Sequence, residues 1–103
     1  MVVSPPKPLV CVRTVEIPKE NEQAFFDWIE SNRQLRQRYG ILMERILQPT
    51  DGKGDWLIIT MWESEEKFEK WLVAKEKLAV DVSVGHALVK FGKIKRYDTE
   101  AGY

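Results

Sequence analysis

Apolar positions along this chain switch between two spacings, and the switches mark its elements. LVCVRTVEI, Leu9 to Ile17, is rich in β-branched residues and stops at Pro18, which predicts a strand. Its alternate rows are Leu9/Cys11/Arg13/Val15/Ile17 and Val10/Val12/Thr14/Glu16. Both rows are largely apolar, so both faces of the sheet are expected to be covered. From Pro18 the spacing changes. Phe25, Trp28, Ile29, Asn32, Leu35 and Tyr39 recur at steps of three and four, one face of a single helix. Glu20 and Glu22 near its start and Arg36 and Arg38 near its end suit the helix dipole, and Gly40 supplies a left-handed terminus.

The period of two then returns. ILMERILQP predicts a second strand, TDGKGD a turn, and WLIITMWE the third strand of an antiparallel hairpin. On that third strand Trp56, Ile58, Thr60 and Trp62 share one face, and Leu57, Ile59 and Met61 the other. Ser64 is a good N-cap for a second helix, with Glu65 and Glu66 in its first turn. Phe68, Trp71, Leu72, Lys75 and Leu78 form its inward stripe, and Glu66 precedes Lys70 in the favourable order for an ion pair. AVDVSVGHALVKFG mixes β-branched residues with Gly85 and reads as a short irregular helix or loop. A fourth strand is expected around Lys93–Asp98.

The order β-α-β-β-α-β predicts an α+β, ferredoxin-like fold: a four-stranded antiparallel sheet with both helices on one face. Strands that are apolar on both rows then leave one sheet face needing cover. The same face of a second copy supplies it most simply, giving a homodimeric α+β barrel. Residues 1–8 hold three of the five prolines and are expected to form an extended arm; the domain spans 9–98, and 99–103 form a tail.

Composition narrows the function. Among 103 residues, sixteen Lys and Arg balance sixteen Asp and Glu, so no net field favours nucleic acid or an anionic membrane. The short basic groups at Arg33/Arg36/Arg38 and Lys90/Lys93/Lys95/Arg96 are too local to change this. A single cysteine, Cys11, forbids an intrachain disulfide and fits a cytoplasmic setting. No paired histidines offer a metal site, and no Gly-rich phosphate loop occurs.

Several residues could carry chemistry. His86 is the one side chain of a type that titrates near neutrality, suited to act as a base toward a phenol or quinol. Trp71 faces inward beside Phe68 and could wall a ligand site, whereas Trp62 could simply fasten the strand–helix corner. Asn32 is polar on an apolar stripe and needs partners there. Arg13 interrupts an apolar row. It calls for an ion-pair partner, for which Glu44 is the candidate, or else anchors an anion.

The run MWES followed by EEKFEKWL contains a W-x-S-x-x-x-F-x-x-W core, Trp62 to Trp71. With VCVRTVEIPKENEQAFFDWI, GILMERILQP and the closing KIKRYD, it resembles the antibiotic-biosynthesis-monooxygenase superfamily of dimeric α+β barrels over residues 9–98. The resemblance implies a cofactor-independent monooxygenase acting on a small aromatic, phenolic or quinone-like substrate. His86 would be its catalytic residue, and Trp71, Asn32, Phe68, Arg13 and Trp62 its substrate contacts. The alternative is a non-catalytic dimer binding a hydrophobic small molecule or haem. A haem-degrading branch of the superfamily carries a strand Asn, a helix Trp and a later His on iron. Trp71 matches, but the Asn position falls on Val12 or a neighbour and His86 is displaced, so the resemblance implies no cofactor and leaves haem only as a ligand.

Overall fold

A computed structural model describes residues 7–77 and 79–101. The proline arm before residue 7, Leu78 of the expected helical stripe and the last two tail residues lie outside them. The element order is β1 (Leu9–Glu16), a 3-10 turn (Lys19–Asn21), α1 (Glu22–Ser31), α2 (Arg33–Arg38), β2 (Ile41–Leu47) and β3 (Trp56–Trp62). α3 (Glu65–Glu76), α4 (Ala79–Leu88), β4 (Lys90–Phe91) and β5 (Lys95–Asp98) complete it. The strands form one antiparallel sheet ordered β2-β3-β1-β4, with β5 also on β1. This is the expected α+β architecture, with the last strand divided. β4 pairs with the end of β1 and β5 with its beginning, because the chain leaves the ladder between Phe91 and Lys95.

The first long helix is also divided. The Asn32 side chain donates to the Trp28 carbonyl at 3.0 Å, the acceptor its own backbone N–H would take in an unbroken helix. That N–H turns to the Ile29 carbonyl instead. At the far end Gly40 takes φ of 94°, as expected of a helix-terminating glycine, and its carbonyl accepts from Glu63 N–H. Ser64 caps α3 by accepting from Lys67 N–H, and Glu66 pairs with Lys70 at 3.2 Å. Such an exposed pair adds only about 0.3–0.5 kcal/mol. The segment expected to be an irregular helix or loop is a ten-residue helix, α4.

One sheet face is covered by helices in two separate clusters. Leu9, Cys11, Trp62 and Phe68 form the first, joined by Trp71 and Leu72 of α3. Val15, Ile17, Phe25 and Val89 form the second, joined by Trp28 and Ile29 of α1 and by Trp56. On the other face the strands remain partly exposed. Val10, Val12, Leu57, Ile59 and Met61 form its centre, with Leu47 and Tyr97 at its margins. The expectation that both faces are covered therefore holds within this chain for one face only. Its helices are all spent on the row that carries Leu9, Cys11 and Val15.

α4 approaches α1 very closely. A Cβ at Gly85 would lie 2.5 Å from the Trp28 ring, so glycine there is a packing requirement that outweighs its cost of about 1 kcal/mol in a helix. Gly85→Val should accordingly lower stability by about 2–3 kcal/mol through overpacking, seen as a fall in the urea midpoint at unchanged m-value.

Candidate functional site

Between the two clusters lies a cavity of about 160 Å³, open to solvent at one side. Its location follows from two strands. β1 places Arg13 between Cys11, which belongs to the first cluster, and Val15, which belongs to the second. β3 places Ile58 and Thr60 between Trp62 and Trp56 in the same way, and Arg13 pairs directly opposite Ile58. A guanidinium cannot close the gap as a leucine would, so the helices span it and a void remains.

Arg13, Asn32, Trp62, Phe68, Trp71 and His86 all line this cavity. Trp62 and Trp71 stack with centroids 6.2 Å apart and planes 25° apart, and Tyr39 and Phe68 lean on the pair. Trp62 is buried, with its indole N–H donating to Thr60 Oγ1 at 3.0 Å; Trp71 is half-buried. The corner residue and the inward residue thus form a single aromatic wall. Asn32 contributes from the helix break. His86, in the last turn of α4, is exposed, with its ring edge-on to Phe91 at 5.2 Å.

The ion pairing differs from the sequence expectation. Glu44 does pair with an arginine, but with Arg36, at 2.7 Å. Thr60 and Glu44 are cross-strand partners on the helix-facing side, and Arg36 of α2 reaches down to Glu44 while also donating to the Ile29 carbonyl. Arg13 instead directs Nε and Nη2 to the Gly92 carbonyl, at 3.1 and 2.8 Å, and lies 4.5 Å over the Phe91 ring. The β4–β5 interruption that splits the last strand is what presents that carbonyl.

Sequence reasoning did not single out Trp28, Phe91, Arg36 or Lys75 as site residues, though all four line the cavity. For Lys75 the signal was present: it was a charge on the stripe of Phe68, Trp71 and Leu72. Phe91 had none, since its position depends on the division of the last strand. Burial lowers the Arg13 guanidinium from its ordinary value, though it stays cationic. Burial, and then the charge of Arg13, pull the Lys75 ammonium down, against a smaller opposing effect of Glu76. Burial pushes the Cys11 thiol up despite Arg96 and a hydrogen bond with Thr60, which keeps it protonated and unreactive at neutral pH. Among the described residues no group of three His, Cys, Asp or Glu could hold a metal ion, and no helix is long and apolar enough to cross a membrane.

The depressed Lys75 has a measurable consequence. Its protonation costs the folded state stability at any pH below its folded value, and the cost vanishes as pH rises to the ordinary 10.5. Lys75→Met should therefore raise the urea midpoint at pH 7. The gain should be modest for a half-exposed group and should shrink as pH climbs toward 10.5.

The architecture recurs in other proteins. SnoaB, a cofactor-independent oxygenase from Streptomyces nogalater, superposes with a TM-score of 0.75 at 13% identity, over 93% of this chain and 96% of that one. The heme-degrader MhuD from Mycobacterium tuberculosis, with two hemes bound in its active site, gives 0.67 at 18% identity over 92% and 98%. A dimeric ferredoxin-like protein from an uncultured marine organism gives 0.73 at 12% identity over 94% and 99%. Identities this low establish a shared fold and nothing finer. No curated protein sequence matches significantly. The family model for antibiotic biosynthesis monooxygenase, however, matches residues 8–79, which carry the Trp62–Trp71 wall, Arg13, Asn32 and Lys75, and the chain belongs to that family.

Proposed function

We propose that this protein is a cofactor-independent monooxygenase for a small aromatic, phenolic or quinone-like substrate bound between the helices and the sheet. The observation that carries this reading is the cavity itself: a stacked tryptophan wall facing an apolar space, with the one histidine of the chain at its margin. A cavity of about 160 Å³ takes one ring, since an apolar void of about 150 Å³ accommodates benzene, and its open side leaves a fused second ring a way out toward solvent. The fold shared with SnoaB, itself a cofactor-independent oxygenase, supports the same reading.

The chemistry asks little of the protein. An electron-rich, fused-ring phenol that gives its proton to a base can hand an electron to dioxygen without a cofactor. For 1-naphthol, addition of O2 and loss of one water yields 1,4-naphthoquinone. One oxygen atom enters the ring and the other leaves as water, and the substrate supplies all four electrons. The chain would stack the ring on Trp71 and Trp62, accept a hydrogen bond or donate one through Asn32, and take the phenolic proton on His86. Haem fits less well. The cavity falls below the roughly 300–1,000 Å³ of drug-sized ligand sites.

Oxygen uptake with 1-naphthol tests the reaction. His86→Gln should cut turnover by about 10²-fold or more while leaving naphthol affinity within about twofold. Binding without any oxygen consumption by the native protein would leave the alternative, a small-molecule-binding domain.

The working unit in this reading is a cytoplasmic homodimer. The partly exposed face bearing Val10, Val12, Leu57, Ile59 and Met61 would pack on the same face of a second copy, and the dimeric relative of the same fold supports that. Ile59→Glu places a charge at the centre of that face and should yield monomers by sedimentation velocity at micromolar concentration. An unchanged dimer would show that another surface is used.

A further inference from the structure

The cavity is apolar in its walls but unbalanced in charge. Three cations line it, Arg13, Arg36 and Lys75, against one carboxylate among the described residues, Glu44, which leaves two positive charges in excess before His86 is counted. Glu44 is already engaged with Arg36. Arg13 and Lys75 have no comparable partner: among the described residues no carboxylate oxygen lies within 4.0 Å of either. Arg13 spends two donors on a neutral carbonyl, which fixes its plane without offsetting its charge.

The two groups come from opposite walls. Arg13 rises from the sheet and Lys75 descends from α3, one turn beyond Trp71 on the same stripe, and each is destabilised as a cation by its surroundings. A chain that needed only a filled core would place leucines at both positions. A half-buried ammonium set against a half-buried guanidinium is a costly arrangement when the site is empty, and an oxyanion between them removes the repulsion.

We propose that Arg13 and Lys75 form an oxyanion-binding subsite, so that the aromatic ligand of this cavity carries a carboxylate or phenolate oxygen directed at the pair. This rests on the ligand site proposed above and names its substrate class: an aromatic anion, with the ring on the Trp62–Trp71 wall and the charge between the two cations. A neutral hydrocarbon would fit the wall and leave the cations unsatisfied. A cationic aromatic would be repelled.

Quenching of tryptophan fluorescence by three two-ring probes tests it: 2-naphthoate, 2-naphthol and the neutral control 2-naphthylmethanol. We expect 2-naphthoate to bind at least tenfold more tightly than the alcohol if the subsite takes a carboxylate. If it takes a phenolate, bound 2-naphthol should show the red-shifted absorption of the naphtholate at a pH where free naphthol is neutral. Lys75→Gln should abolish the preference, leave the affinity for the alcohol unchanged and keep the native circular dichroism. Arg13→Gln should do the same if it folds, but Lys75→Gln carries the test because Arg13 also ties β1 to Gly92. Equal binding of all three probes with naphthol staying neutral, or a preference that survives Lys75→Gln, overturns the subsite. Failure of every probe to bind overturns the cavity as a ligand site as well. An anion preference with no oxygen uptake from 1-naphthol would sink the oxygenase reading and leave the subsite standing.

Discussion

Arg13 sits where an apolar side chain would have fused two hydrophobic clusters into one. On the helix-facing row of β1, Leu9 and Cys11 belong to one cluster and Val15 and Ile17 to the other. A guanidinium between them must be solvated or bonded, and the Gly92 carbonyl meets that need only because the last strand leaves the ladder there. The cavity and the break in the last strand meet at this one cation, with Phe91 under the guanidinium.

The rest of the site is held by contacts that constrain the helices above it. Asn32 breaks the first helix by bonding to Trp28, and the short α2 that follows carries Arg36 down to Glu44. Gly85 lets α4 come against the Trp28 ring, which sets the height of His86 above Phe91. Arg96 of β5 bonds to Glu69 and covers the Phe68 ring at 5.0 Å, holding α3 and its tryptophan onto the sheet. The polar residues near the cavity therefore serve the architecture as well as the space they border.

Kinship with the oxygenase and the heme-degrader is a statement about this scaffold. At 13% and 18% identity the shared feature is the fold alone. Function resides in what lines the cavity. Here the lining combines an aromatic wall with two cations lacking acidic partners, a combination that neither the fold nor the family match specifies.

Much of the architecture was legible in the chain because it depends on local periodicity. The alternation in Leu9–Ile17 and Trp56–Glu63, the Ser64 cap and the Gly40 terminus each follow from neighbours a few residues away. Helical spacing likewise turns Phe68 and Trp71 inward, whereas Trp62 reads in sequence as a fastener of the strand–helix corner and joins their wall only in the folded chain. Arg13 was visible as an anomaly, but its partner was not: Glu44 has the right charge and strand, and Arg36 takes it because α2 brings a second guanidinium to the same point. The break at Asn32, the splitting of the last strand and the arrival of Lys75 and Arg13 at one cavity were decided only in three dimensions. Each depends on which groups from distant segments compete for the same buried acceptor or the same space, and periodicity along a chain carries no record of that competition.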